Sequence, residues 1–268
     1  MQTEQLLHEI TEAARGAGKI MLEAEHIEDH IDVKSGHANF ATEYDSRVQE
    51  YLIGRLSGVL PGAHFLGEEE GQESWKPEYE TGYTFVIDPI DGTSNFMKGL
   101  RNSVTSIGLL LDGEPYIGVI YHPYYDEIYT AVKGQGAFCN GKPVHSSKMP
   151  MDKSLVMFGT CPYYPELVDT TFCLAKYYLP KCIDLRRYGS AAWDMCLCAS
   201  GRIGMYFEMR LSVWDYAAAA LIAGEAGCTV TAIDGSPLSY RGSSSAICAG
   251  EGVAAAGGYL PPSELMEL

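Results

Sequence analysis

The sequence predicts a two-part α+β / α/β fold, on three observations. Two amphipathic helical segments open the chain. Four β-rich runs then follow one another across short polar turns, the pattern of antiparallel neighbours. After about residue 150 the texture changes to helices alternating with short strands, the signature of an α/β layer. The natural division is 1–150, an α+β part, and 151–268, an α/β part.

In chain order, residues 4–28 carry Leu6, Leu7, Ile10, Ala13, Ala14, Ala17, Ile20 and Met21 at helical spacing, one apolar stripe. Gly16 and Gly18 weaken that helix or permit close packing. Residues 43–57 repeat the pattern through Val48, Tyr51, Leu52 and Leu56, and Pro61 lies in the stretch that ends it. An acidic loop follows, Gly67-Glu68-Glu69-Glu70-Gly71. The strand-like runs are 83–87, 104–111, 116–121 and 127–132, parted by Asp112-Gly113-Glu114-Pro115 and His122-Pro123-Tyr124-Tyr125-Asp126. Lys133-Gly134-Gln135-Gly136 and Asn140-Gly141-Lys142-Pro143 read as turns. Beyond them come a strand at 155–159, helices at 166–178 and 190–200, a strand at 203–208, an Ala-rich helix at 215–226 stopped by Gly227, and strands at 228–232 and 245–249. No internal repeat is visible.

The composition excludes several functions. Lys and Arg total 19 against 35 Asp and Glu, a formal charge of −16. A nucleic-acid binder needs concentrated cationic side chains to replace counterions, and an anionic membrane surface makes the same demand. No apolar run reaches the roughly 20 residues that span a bilayer. The N-terminus lacks the basic head, apolar core and cleavage site of a signal peptide. The eight cysteines include no CxxC, which points to free buried thiols in a reducing cytoplasm rather than to a zinc cluster. At face value the acidity also opposes a phosphorylated ligand.

One stretch reverses that last inference: Val86-Ile87-Asp88-Pro89-Ile90-Asp91-Gly92-Thr93-Ser94-Asn95-Phe96. An apolar strand delivers Asp88, and the i, i+3 spacing in a turn brings Asp91 towards the same centre. Converging carboxylates are costly unless a cation neutralises them, and all-oxygen ligation suits Mg²⁺ or Mn²⁺. A solvated surface turn is the alternative. From Glu68 to Asp91 there are eight acids (Glu68, Glu69, Glu70, Glu73, Glu78, Glu80, Asp88, Asp91) against Lys76 alone. Formal charge omits bound cations, so clustered acids point to a metal site and through it to a small phosphate ester. Asp45, alone, reads as a solvated acid at a helix start. Asp215, three residues after Ser212, reads equally as a helix cap or a ligand.

Gly67-Glu68-Glu69, the run from Asp88 to Phe96, and Trp214-Asp215 leading to Glu225-Ala226-Gly227 together resemble the inositol monophosphatase family, within the metal-dependent, lithium-sensitive phosphomonoesterases. The stretch from Lys133 to Gly141 is similar too, and the likeness stays in register from about residue 10 to 250. It implies a layered αβαβα sandwich of the sugar-phosphatase type with the active site between the halves. It implies Glu68, Asp88 and the Ile90 carbonyl as ligands of a first Mg²⁺, Asp88, Asp91 and Asp215 as ligands of a second, and a third, weaker ion near Glu68. Mn²⁺ is the substitute ion. Asp45 and Thr93 would activate the attacking water, with Glu68 as a further catalytic residue. The amides of Gly92 and Thr93, with Asp91, would face the phosphate. Gly189, Ser190, Ala191 and Glu208 would face the polyol. A homodimer is the family's common state.

These matches imply hydrolysis of a small polyol or sugar phosphate monoester of the inositol 1-phosphate type. Arg210 departs from the glycine the family commonly has after Glu-Met, and Arg186 and Arg187 precede Gly189, so a bulkier or doubly anionic substrate is open. Alternatives are phosphatases of 3′-phosphoadenosine 5′-phosphate, fructose 1,6-bisphosphate or histidinol phosphate, and a non-enzymatic binding protein of the same fold.

Overall fold

The computed structural model describes residues 2–265 apart from 26, 28–30, 36–38 and 70–74, and only the backbone of the strands between 31 and 41. Glu70, Gly71 and Glu73 of the acidic stretch, and part of the tail of the first expected helix, lie outside the described residues.

Helix α1 (Thr3–Leu22) leads through the hairpin β1 (Ile31–Ser35) and β2 (Asn39–Thr42) into α2 (Glu43–Val59). A seven-stranded sheet follows: β3 (His64–Gly67), β4 (Tyr83–Asp91), then, after the short α3 (Thr93–Met97), β5 (Val104–Leu111), β6 (Glu114–His122), β7 (Glu127–Val132), β8 (Ala137–Cys139) and β9 (Lys142–Val144). Its strands lie side by side in chain order. Only the β3–β4 pair is parallel. The second half comprises β10 (Leu155–Phe158), α4 (Val168–Tyr178), β11 (Asp184–Arg186), α5 (Ala191–Ala199), β12 (Met205–Leu211), α6 (Val213–Glu225), β13 (Thr229–Thr231), β14 (Ser244–Ala249) and α7 (Glu251–Ala256). Its five strands run in the order β11-β10-β12-β14-β13, with β10 parallel to both neighbours and β14 antiparallel to β12 and β13.

Alternation along the strands builds the layers. Phe85 and Ile87 of β4 and Ile107 and Leu109 of β5 face α1 and α2, burying Leu6, Ile10, Ala14, Val48 and Leu52. Val86, Leu110 and Ile120 face the other way, towards α5 and α6. Those two helices are covered in turn by the five-stranded sheet, through Tyr206, Ala246 and Cys248. The far face of that sheet, Val156, Met205, Phe207 and Ile247, packs on Leu174 and Tyr178 of α4. The result is the αβαβα sandwich.

Where α6 crosses the sheet, backbones nearly touch. A Cβ on Gly118 would stand 2.7 Å from the Ala218 carbonyl oxygen, and one on Gly108 3.3 Å from the Ala217 Cβ. The Ala-rich sequence of α6 is therefore a spacing requirement. Gly16 has the same role between α1 and α2, where a Cβ would lie 1.8 Å from the Tyr51 hydroxyl oxygen.

Several boundaries differ from the sequence reading. Helix α1 stops at Leu22, where Glu23 and Glu25 would oppose the negative end of the helix dipole. Strand β4 continues through the acidic motif to Asp91. Its ladder slips between Asp88 and Asp91, which accommodates Pro89, a residue with no amide hydrogen to give. The turn Lys133-Gly134-Gln135-Gly136 docks on α6: the Gly134 and Gly136 amides donate to the Glu225 carboxylate at 2.6 and 2.7 Å.

Candidate active site

The parallel register pairs Gly67 with Ile87, so the residues that follow, Glu68 and Asp88, emerge side by side. The Glu68 amide donates to the Ile87 carbonyl at 3.3 Å and extends that ladder by one step. Gln49 of α2 fixes the turn: its Oε1 accepts the Glu69 amide at 3.0 Å, and a Cβ on Gly67 would stand 2.3 Å from the same atom. Gln49 was not legible as a site residue, because its only signal is a polar side chain on the buried face of α2.

Asp91 is held from the other half of the chain. The Ser190 hydroxyl and the Ala192 amide donate to its Oδ2, each at 2.7 Å, and the Ala191 amide donates to Oδ1 at 3.3 Å. The start of α5 thus grips a carboxylate of the other sheet, where the dipole and first free amides favour an anion. Ser190 and Ala191 line the cavity as expected, but the Ser190 hydroxyl and Ala191 amide are directed to Asp91. Gly92, at φ +90°, turns the chain from β4 into α3. A Cβ there would lie 3.0 Å from the Asn102 oxygen and 3.1 Å from that of Gly189. Asn95 ties this turn to the second half, its Nδ2 donating to the carbonyls of Asn102 (2.8 Å), Tyr188 (2.7 Å) and Gly189 (3.2 Å).

Asp45 is buried rather than solvated. Its Oδ2 accepts the Thr42 amide (2.8 Å) and hydroxyl (2.6 Å), while Oδ1 accepts the Thr93 hydroxyl at 3.3 Å. The Thr93 hydroxyl also lies 3.2 Å from the Ile90 carbonyl oxygen, and the Ile90 amide donates to Asp88 Oδ1 at 3.1 Å. The helix-cap reading of Asp215 holds: it closes the capping box of α6, accepting the Ser212 amide at 2.7 Å, and it also lines the same cavity.

That cavity holds about 900 Å³ and is lined by Glu68, Asp88, Asp91, Thr93, Gly189, Ser190, Glu208 and Asp215 among others. Burial raises Asp88, Asp91 and Asp215 of this lining, and the neighbouring Asp45 with them. Asp45 is pushed up to about 7 and Asp91 to about 6, mainly by desolvation. Asp88 and Asp215 are raised well above the ordinary range, by burial first and then by the charges of Glu68 and Asp91. Tyr163, also on the wall, is pushed up to about 12, by burial first and then by the charge of Glu68. Such a donor set is unfavourable by itself and fits hard cations. Among the described residues no three of these carboxylates bring one oxygen each within 4.8 Å of one another, so they ring the cavity rather than meet at one point.

Opposite the acids, Glu208 accepts hydrogen bonds from the Tyr206 hydroxyl and, at 3.5 Å, from the Cys161 thiol. Gly159 makes room for it; a Cβ there would overlap the carboxyl at 2.0 Å. Arg187 and Arg210 line the cavity, and Arg210 lies over the Tyr164 ring, 4.4 Å from its centroid. Arg186 instead pairs with Asp184 outside. Asp194 is a further residue the sequence reading passed over: it is buried and lines the cavity, and its Oδ1 has no hydrogen-bond partner among the described residues. One acid inside the apolar run of α5 was the available signal.

The cysteines are free as expected, with Cys139, Cys173 and Cys182 only partly buried. Cys198, Cys228 and Cys248 bring their sulfurs together. Among the described residues no helix is long and apolar enough to cross a membrane.

Comparison with known proteins agrees with this fold. The model of the Inositol monophosphatase family matches residues 2–261. The chain is 35% identical over 227 residues to Inositol monophosphatase 3 of Solanum lycopersicum, covering 84% of each chain. It is 34% identical over 226 residues to Inositol-1-monophosphatase of Bacillus subtilis (strain 168), again covering 84% of each. The extragenic suppressor protein suhB from Bartonella henselae superposes with a TM-score of 0.83 at 29% identity, over 92% of this chain and 95% of that one. With these acids lining one cavity, the chain belongs to the inositol monophosphatase family and is a metal-dependent phosphomonoesterase of that superfamily.

Proposed function

We propose that this chain hydrolyses a small polyol or sugar phosphate monoester of the inositol 1-phosphate type, with Mg²⁺ as its cation. The observation that carries the reading is the juxtaposition in one cavity of four carboxylates, Glu68, Asp88, Asp91 and Asp215, with the Glu208 carboxylate. Thr93, on the same wall, is hydrogen-bonded to Asp45.

Glu68, Asp88 and the Ile90 carbonyl would hold one ion; Asp88, Asp91 and Asp215 would hold a second once their side chains close on it. Bound Mg²⁺ supplies positive charge that offsets these carboxylates and polarises the phosphate and the attacking water. The chain's own residues then do the positioning. The Thr93 hydroxyl donates to Asp45, which leaves its oxygen free to accept an O–H of the attacking water and aim that water at phosphorus. Asp45 stands behind it as proton acceptor. The first amides of α3, at Gly92 and Thr93, face the phosphate oxygens. Glu208 accepts a hydroxyl of the polyol. We place this site between the parts 1–150 and 151–268.

The test is phosphate release from inositol 1-phosphate at millimolar Mg²⁺, with and without EDTA. Asp91→Asn removes a ligand charge, and its turnover is expected to fall by about two orders of magnitude or more, roughly 3 kcal/mol of transition-state stabilisation. Near-wild-type turnover would sink the assignment, and absence of release from every monoester would sink the enzyme reading. Arg187 and Arg210 favour a second reading, a substrate with a further anionic group: both line the cavity, and among the described residues no carboxylate pairs with either. Far faster turnover of 3′-phosphoadenosine 5′-phosphate or fructose 1,6-bisphosphate than of inositol 1-phosphate would establish that reading instead.

A further inference from the structure

Behind the catalytic cavity, three thiols from distant parts of the sequence meet. Cys198 lies in the last turn of α5, Cys228 follows α6 at the entry to β13, and Cys248 sits on β14. The β13–β14 register opposes Cys248 to Val230, two residues beyond Cys228, and the β12–β14 register opposes it to Tyr206. The three sulfurs lie within 4.8 Å of one another, and those of Cys228 and Cys198 are 3.8 Å apart. That separation matches the edge of a tetrahedron around zinc: with Zn–S near 2.3 Å, neighbouring sulfurs stand about 3.8 Å apart. Cys198 and Cys248 are fully buried, whereas Cys228 keeps 9% exposure and marks the side from which an ion enters.

We propose that Cys198, Cys228 and Cys248 form a thiolate site for a soft divalent cation, Zn²⁺, separate from the carboxylate site. Softness divides the two: three sulfurs select zinc-like ions, whereas carboxylates and a carbonyl select Mg²⁺. Binding forms three Zn–S bonds and releases three thiol protons to solvent, with no change of oxidation state. The fourth position falls to water or to Ser146, whose side chain neighbours the Cys228 thiol and whose Oγ accepts the Glu251 amide at 3.1 Å. The site would tie the C-terminal end of α5 to the chain leaving α6. The opposite ends of those helices grip Asp91 and carry Asp215, so zinc would brace the pair that shapes the cavity.

The experiment titrates the full-length, reduced protein with Co²⁺ as a spectroscopic stand-in for zinc, in a large excess of Mg²⁺ that keeps the carboxylates occupied. The expected result is one equivalent bound with sulfur-to-cobalt charge-transfer absorption, abolished by one equivalent of Zn²⁺. The absorption should vanish in Cys228→Ser and Cys248→Ala and persist in Asp215→Asn. If a cysteine variant fails to fold, the parent protein still decides the matter. Zinc should slow the alkylation by iodoacetamide of Cys228, the member with exposed surface, read by peptide mass, and leave that of Cys139 and Cys173 unchanged. Cobalt binding without the sulfur band, a band that survives Cys228→Ser, or equal alkylation with and without zinc would overturn the proposal.

Discussion

His122 shows how one side chain couples packing to pH. Its ring is buried, stacked on Tyr125 at 4.3 Å and tilted against Trp193 at 4.4 Å, and neither ring nitrogen has a hydrogen-bond partner among the described residues. Burial pushes its pKa down to about 4. The folded state therefore refuses a proton that the unfolded chain takes below its ordinary 6.5, so stability is intact above 6.5 and is lost as pH falls towards 4. The slope is about 1.4 kcal/mol per pH unit in that window. His122→Phe keeps the ring stack and removes the titration. Its thermal midpoint should gain on the parent as pH goes from 7 to 5, by the equivalent of about 2 kcal/mol; a pH-independent difference would refute the account. Gly159 offers a sharper test at the cavity. Gly159→Ala forces the Glu208 carboxyl out of its place, so KM for inositol 1-phosphate should rise about tenfold, the effect of one lost polar contact. Hydrolysis of a simple aryl phosphate, which offers Glu208 no hydroxyl, should hardly change, and equal loss on both substrates would mean the cavity had collapsed.

At the scale of elements, what α6 packs against matters as much as what it carries. Gly118→Val drives a side chain into the Ala218 backbone, where a rigid helix cannot yield. The variant should lose about 1–3 kcal/mol in urea unfolding; an unchanged midpoint would show that α6 can lift off the sheet. The helices and the long antiparallel strands were legible because their apolar periods are long and their turns polar. The short strands were not. β3 has four residues beside a parallel partner, and β8 and β9 have three each in a Gly-rich stretch that reads as turns. Asp45, Asp215 and Glu208 drew their site roles from the family resemblance, whereas Asp88 and Asp91 were legible because strand and turn place them locally. Gln49, Asp194 and the thiol cluster were not, since each acquires its meaning from neighbours that only the tertiary fold supplies. Cys198, Cys228 and Cys248 are separated by 30 and 20 residues, and no spacing rule links them.

For the molecule as a whole, the charge of −16 works against the fold where the acids are buried. With pKa values raised to about 7 and 6, Asp45 and Asp91 keep their protons in the folded chain at pH values where the unfolded chain has released them. Their contribution is fully present below the ordinary carboxyl range and is lost as pH rises through about 6 to 7. His122 acts in the opposite sense, so the pH profile of the metal-free protein alone cannot separate the two. A comparison at fixed pH does. On the proposed reading Mg²⁺ binds the ionised carboxylates and the folded state only, and would add RT ln(1 + [Mg²⁺]/Kd) to stability. His122 contributes equally with and without the ion and cancels. The rise in thermal midpoint on adding millimolar Mg²⁺ to EDTA-treated protein should therefore be largest at pH 8 and shrink markedly by pH 5.5, where protons and Mg²⁺ compete for the same oxygens. Scanning fluorimetry at the two pH values measures it directly. An equal shift at both would mean that the ion stabilises the chain somewhere other than this ring of acids.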